Sequence, residues 1–310
     1  MKILFMGTPD FALFSLKALV EAGENVIGAV TQPDKPKGRG YTLTPPPVKV
    51  YASERGLPVW QPTTLRSEEF ATLLRELDPE LIVVVAYGKI LPVNVLEYPK
   101  YGCINVHGSL LPEYRGAAPM QRAIIDGKKQ TGITTMLMAD GIDTGDMLLK
   151  GYVDIEENDN FEVIHDKLGA TGATVLLDTL KVLRTKGLSP IPQDDAQATY
   201  AAKIEKDDCV IDFSRPAREV HNRIRGLSPI PLAFTHTPDR KMLKVITSEL
   251  DGALSNQAPG TVVSLENGRI TVACGEGCIS LLTVLPEGKK RMSAADFING
   301  RKISLGDVLR

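Results

Sequence analysis

The sequence predicts an α/β protein in two parts, a doubly wound and mostly parallel sheet followed by a smaller antiparallel β-barrel. Three observations carry this expectation. Over the first half, short apolar runs alternate with amphipathic helical stretches, the pattern of βαβ units. After about residue 207 short β-rich runs follow one another at close spacing, with turns such as PDR, ENG and GEG between them. Between the two halves lies LSPIPQDDAQATYAAKIEKDD, rich in Pro, Asp and Gln, which reads as a connector.

The elements follow in order. KILFM (2–6) and NVIGAVT (25–31) read as strands around the amphipathic helix FALFSLKALVEAG. LIVVVAYG (81–88), CINVHG (103–108) and GITTMLMA (132–139) are the next strands, separated by helical patterns such as EEFATLLREL and PMQRAIIDG. A long helix, about FEVIHDKLGATGATVLLDTLKVLRTKG, closes this half. Then PAREVHNRIRG reads as a helix, followed by the β-like runs LAFTHT, KMLKVITSEL, GTVVSLENG, RITVACG and CISLLTVLP. The expectation is a Rossmann-like domain over 1–188, a linker over 189–206 and an OB-like barrel over 207–310. Gly7 in MGTPDFA invites a dinucleotide reading, but the stretch lacks G-x-G-x-x-G spacing, and Pro9 with Asp10 fits a helix start.

Composition narrows the class. At 310 residues, 43% hydrophobic and 24% charged, the chain has the make-up of an ordinary globular protein. A net charge of −2 gives no global attraction to polyanions, so any nucleic-acid contact must use a local patch. The N-terminal apolar run is broken by Gly7, Pro9 and Asp10 and lacks a secretory pattern, and no apolar stretch suffices to span a bilayer. A cytoplasmic monomer is expected. The four cysteines suit reduced use, and Cys274 with Cys278 lacks the second pair of a structural zinc site, so no metal is expected.

The chemistry concentrates in INVHGSLLPEYRGAAP, residues 104–119. Asn105 and His107 share one face of their strand while Ile104 and Val106 take the other. In open parallel sheets ligands bind beyond the carboxyl ends of strands. Asn105 and His107 lie at such an end, and the loops YGKILP and ADGIDTGD (139–146) are expected to open at the same edge. Asp143, between Gly141 and Gly145, then joins an amide and an imidazole. An asparagine NH2 can donate to oxygen charge developing in a tetrahedral intermediate, histidine can exchange protons, and a carboxylate can orient the ring. No serine or cysteine stands in a nucleophile motif, which favours direct transfer to an external amine. Chemistry alone leaves this reading level with a hydrogen-bonded core histidine. Asp140, Asp143 and Asp146 lack EF-hand spacing, so metal binding is the minor option, and His165, His221 and His236 suggest structural roles.

NVHGSLLPEYRGAAP and GITTMLMADGIDTGDMLL together resemble the two signatures of folate-dependent formyltransferases. FMGTPDFA, PDKPKGRG and the C-terminal half extend the resemblance over essentially the whole chain, to members acting on charged tRNA. The resemblance implies a formyl group passing from 10-formyltetrahydrofolate to the methionine amino group of initiator methionyl-tRNA. It implies Asn105, His107 and Asp143 as the catalytic trio. It also implies a folate site bordered by Ser109, Leu110, Leu111 and Pro112, and by the backbone of Tyr87, Gly88, Lys89, Ile90 and Leu91.

The segment PDKPKGRGYTLTPPPVK (33–49) sets Lys35, Lys37, Arg39 and Lys49 against Asp34, a local excess of three positive charges. An excursion this long is functional or disordered as a rule, and beside the catalytic motifs it reads as a tRNA-contacting loop. PPPVK replaces the serine that often precedes PVK in the family. Residues 203–310 hold 16 Lys and Arg against 13 Asp and Glu, net +3, leaving −5 before them. That asymmetry fits a barrel that adds phosphate contacts. Two alternatives stay open: a formyltransferase acting on a small amine, which needs neither the basic loop nor the barrel, and an RNA-binding module with an idle site.

Overall fold

The computed structural model describes residues 1–37 and 42–310. The chain begins with β1 (Ile3–Gly7), α1 (Asp10–Glu21) and β2 (Val26–Val30), then a hairpin of β3 (Lys35–Lys37) and β4 (Thr42–Thr44). It continues through α2 (Pro47–Glu54), β5 (Val59–Trp60), α3 (Glu68–Leu77), β6 (Leu81–Val85), α4 (Val93–Leu96) and β7 (Cys103–His107). Next come β8 (Arg115–Gly116), α5 (Pro119–Ile125), β9 (Gln130–Leu137), β10 (Met147–Asp154) and the long helix α6 (Phe161–Thr185).

Seven strands form one sheet in the order β10-β9-β7-β6-β1-β2-β5. β1, β2, β5, β6 and β7 run parallel, as their continuous apolar sequences require of strands covered on both faces. The chain moves outward from β1 to β5, then returns to lay β6 on the other side of β1. That reversal makes the carboxyl ends of β1 and β6 the topological switch point, where the fold opens a crevice. Thr8, just beyond β1, donates through Oγ1 to the Tyr87 carbonyl just beyond β6, at 3.0 Å. Under this part of the sheet Leu4, Met6, Ile82 and Val84 pack with Phe70 and Leu74 of α3. Ser67 caps that helix by accepting from Phe70 N at 3.2 Å.

One expectation is corrected. β9 runs antiparallel to β7, with Leu137 opposite Ile104 and Thr134 opposite His107. The loop 139–146 therefore leaves the sheet beside the amino end of β7, not at the shared carboxyl edge. A second difference concerns 33–49, read as an open loop: its flanks pair as a hairpin, with Lys35 opposite Thr44 and Lys37 opposite Thr42. Gly-Arg-Gly gave no two-residue turn signal for it.

Beyond α6 come β11 (Tyr200–Ala201), α7 (Ala217–Gly226), β12 (Ala233–His236), β13 (Met242–Asp251) and β14 (Val262–Ser264). β15 (Ile270–Ala273), β16 (Cys278–Pro286), β17 (Met292–Ser293) and α8 (Ala294–Asn299) complete the chain. Here an antiparallel sheet runs β12-β13-β16-β15-β14, with β17 on β16. Register shifts along β13 help it curl as a half-barrel. Val245, Ile279, Leu281 and Val284 fill its core with Val220 and Ile224 of α7. By contacts the chain divides into two compact units, one of 1–116, 131–153 and 165–200, the other of 117–130, 154–164 and 201–310. This division does not follow the boundaries at 188 and 207, because α5 packs on α7 within the second unit. Among the described residues no helix is long and apolar enough to cross a membrane.

Two predictions follow from packing. Gly132 lies in β9 where a Cβ would stand 2.1 Å from the Gly151 carbonyl oxygen and 2.4 Å from Leu110 Cδ2. Gly132→Ala should cost about 1–3 kcal/mol in urea titration, the usual range for overpacking. All four cysteines are free and buried, and burial pushes the thiols of Cys103 and Cys274 up to about 12. Ellman's reagent at pH 8 should label none of them in the native protein and all four once it is unfolded.

Candidate functional site

Every residue of β7 is buried. Val106 turns toward α6, where a Cβ on Gly172 would meet its Cγ1 at 3.1 Å. Asn105 and His107 take the opposite face at 9% and 6% exposure, so both polar groups need partners. His107 finds one within its own turn. Its Nε2 lies 2.9 Å from the Tyr114 carbonyl oxygen, which can only accept, so Nε2 carries the hydrogen and Nδ1 is bare in the neutral ring. The Asn105 amide makes no hydrogen bond to another described residue, leaving its NH2 available as a donor.

The SLLPEYRG turn is built to return that carbonyl. Ser109 Oγ donates to the Glu113 carbonyl at 2.6 Å. Thr134, opposite His107 on β9, accepts from Leu111 N at 3.1 Å and donates to the Ser109 carbonyl at 2.8 Å. Lys150 Nζ donates to the Leu111 carbonyl at 2.5 Å. Tyr114 then takes a φ of +59°, with its N–H held by Thr199 Oγ1 at 2.8 Å.

Asp143 reaches this face although its loop starts at the other end of β7. Its Oδ2 stands 3.5 Å from His107 Nδ1 and accepts from Gly116 N at 2.8 Å. Protonation of Nδ1 turns the approach to Asp143 into an ion pair. Close packing makes the fold-back possible. At Gly145 a Cβ would lie 1.7 Å from the Leu137 carbonyl oxygen, so only glycine lets the loop pass the end of β9.

The remaining expected site residues are placed as follows. Tyr87 buries its ring in the core beneath β6, and burial pushes its hydroxyl up to about 12, so only backbone remains for a ligand. Gly88 takes a φ of +85°, and Lys89 donates to the Pro62 and Thr63 carbonyls at 3.0 and 2.6 Å. Ile90 is 74% exposed while Leu91 is buried. Ser109 and Leu111 are buried, and Leu110 and Pro112 half-buried. The two segments follow the adjacent strands β6 and β7.

Lys49 is not a free cation. Its Nζ donates to both Asp34 oxygens at 2.9 and 2.8 Å and to Gln61 Oε1 at 2.8 Å. The Lys49 and Gln61 hydrogen bonds hold the Asp34 carboxyl below its usual range. Gln61 also donates to the Gln32 carbonyl at 2.8 Å, so this network clamps the base of the β3–β4 hairpin. Lys35 is exposed and makes no ion pair among the described residues, Lys37 lies in β3, and Arg39 falls outside the described residues.

Sequence reasoning gave no role to Thr134 or Arg115, although both lie inside the two quoted signatures, nor to Gln61 or Gln193, which lie outside them. Asp140, Asp143 and Asp146 form no metal-ligating group, nor does any other set among the described residues. His165 meets Asp10 and Asp166, His221 bonds Ser248 Oγ at 3.0 Å, and His236 bonds the Arg310 carbonyl.

A model of the formyl transferase family matches residues 1–180, and one of the formyl transferase C-terminal domain matches residues 203–302. The methionyl-tRNA formyltransferase of Bacillus velezensis is 48% identical over 309 residues, covering 99% of this chain and 97% of its own. That of Bacillus subtilis is 49% identical over 309 residues with the same coverage. Among solved structures, an N-formyltransferase from Helicobacter canadensis in complex with folinic acid and dTDP-3-aminofucose superposes with a TM-score of 0.67 at 17% identity. It covers 91% of this chain and 98% of its own, a likeness of fold.

Proposed function

Because this chain belongs to the formyltransferase family, we propose that it moves a formyl group from 10-formyltetrahydrofolate to the methionine amino group of charged initiator tRNA, preparing it for translation initiation. The observation that carries the reading is near-full-length identity to methionyl-tRNA formyltransferases at 48%. The meeting of Asn105, His107 and Asp143 on one face supports it. Such a reaction belongs in the cytoplasm.

Each residue then has a defined task. Asn105 donates its free NH2 to the oxygen that becomes negative as the amine adds to the formyl carbon. His107, with Nε2–H fixed on Tyr114, receives the amine proton at Nδ1 and returns it to the leaving folate nitrogen. Asp143 faces the imidazolium during that interval. The exposed side chains of Ile90 and of Ile142, next to Asp143 in sequence, offer apolar cover to an aromatic ligand. Residues 1–188 carry the reaction, with Gln193 and Thr199 of the 189–206 segment bound to the site loops, and 207–310 add tRNA contacts.

A formyl-transfer assay offering charged initiator tRNA and small amines separately tests the assignment; transfer to the amines alone would overturn it. Asn105→Ala should lower kcat about 10²–10³-fold, the usual loss for one such donor. His107→Ala should impair transfer more than folate binding. Asp143→Asn should keep the circular dichroism spectrum yet alter the pH–rate profile. Wild-type turnover in purified Asn105→Ala and His107→Ala would remove the trio.

The hairpin makes a separate prediction about salt. Lys35→Ala and Lys37→Ala should weaken tRNA binding and flatten its dependence on salt, since each lost phosphate contact releases about one counterion fewer. Arg39→Ala should weaken tRNA use and spare folate binding, with Arg39→Lys restoring affinity better than catalytic efficiency, because lysine lacks the planar fork. Lys49→Ala, which frees Asp34 at the hairpin base, should weaken binding without reporting a direct phosphate contact. Identical tRNA kinetics across this set would exclude the hairpin from recognition.

A further inference from the structure

Asp143 adopts a φ of +54°, a region that residues other than glycine seldom occupy. Two carbonyls of its loop, those of Asp143 and Gly145, converge on one side-chain amide, Gln193 Nε2, each at 2.7 Å. Both amide hydrogens are thereby used. At the other end of the same amide, Oε1 accepts from Arg115 Nε at 3.0 Å. A guanidinium can only donate and a carbonyl can only accept, so the amide has one possible orientation. Arg115 is 2% exposed and is itself fixed by Asp195 Oδ1, 2.7 Å from its Nη2.

The backbone reinforces this arrangement. Ile191 pairs with Met147 through reciprocal N–H to carbonyl bonds of 2.9 and 2.8 Å, which hold the segment carrying Gln193 against the start of β10. Gly116, immediately after Arg115, donates its N–H to the Asp143 carboxylate. The dipeptide Arg115-Gly116 thus grips the carboxylate directly and the peptide behind it through Gln193. We propose that Gln193, oriented by Arg115, is a positioning residue for formyl transfer, a latch that keeps the Asp143 carboxylate against His107. The proposal rests on the reading of Asp143 given above. Gln193 acts only through the loop it holds.

The test is a double-mutant cycle on the full-length protein, read by single-turnover formylation of charged initiator tRNA. Gln193→Ala should lower the transfer rate about ten- to hundredfold, the scale of a misplaced reacting group, with KM for both substrates within twofold. Gln193→Glu keeps the length and the Arg115 contact but turns an oxygen toward two carbonyl oxygens, so its loss should be at least as large. If Gln193→Ala fails to fold by circular dichroism, Gln193→Glu takes its place in the cycle. In an Asp143→Ala background the Gln193 change should add nothing, since the group it positions is gone. Wild-type rates in the Gln193 variants beside an impaired Asp143→Ala, or fully additive losses, would overturn the latch alone. Full activity in Asp143→Ala would overturn the reading of the site, and the latch with it.

Discussion

The hydrogen bond from His107 to the Tyr114 carbonyl is the contact on which the site depends. A buried imidazole must spend one nitrogen on a structural partner, and which one it spends decides what the other can do. Here the partner is a carbonyl, so Nε2 holds its hydrogen and Nδ1 faces Asp143. To deliver that carbonyl the chain has to reverse within seven residues of the histidine. The left-handed backbone at Tyr114 and the Ser109, Thr134 and Lys150 contacts accomplish the reversal. The motif is thus conformational over most of its length, and Asn105 and His107 carry the polar groups to which the proposed reaction is assigned.

This distinction explains what could be read from the sequence. The parallel strands were legible because buried strands are written as apolar runs, and EEFATLLREL marked its helix with an apolar stripe and the Ser67 cap. Asn105 and His107 were legible because polar residues interrupt such a run at a period of two. The direction of β9 was not, since an apolar strand has the same pattern whichever way it runs. Asp143 does lie beside His107, but it arrives by a different route from the one the strand pattern suggests. Gln193 left no trace, because a side-chain amide that binds backbone carbonyls fifty and forty-eight positions away imposes no periodicity. Residues 189–206 read as a linker by composition, yet their first part is hydrogen-bonded to Met147, Asp143 and Arg115. Polar composition reports solvent exposure and turn content, and it is silent on whether a segment is tethered.

The basic segment 33–49 shows the same limit for charge. Counting gives four cations against one anion, but the fold joins Lys49 to Asp34 and removes the pair from the patch. A half-buried pair tied to Gln61 is an anchor rather than a contact surface. Outside that pair the segment keeps Lys35, which stands exposed, followed in sequence by Lys37 and Arg39. The net excess of three positive charges survives the pairing, carried in the sequence by Lys35, Lys37 and Arg39.

That concentration matters because the surrounding charge is unfavourable. Residues 1–202 carry a net −5, so a polyanion approaching the reaction domain meets an average repulsion. Screening confines exposed charges to about 8 Å at physiological ionic strength. Within that range cations close together in sequence, as Lys35, Lys37 and Arg39 are, outweigh a diffuse negative background, whereas the same cations spread over the surface would not. A small neutral amine would gain nothing from such an arrangement. The clamp at the hairpin base and the basic residues beyond it are therefore complementary: in a domain acidic overall, a local positive field exists only where basic residues are kept together.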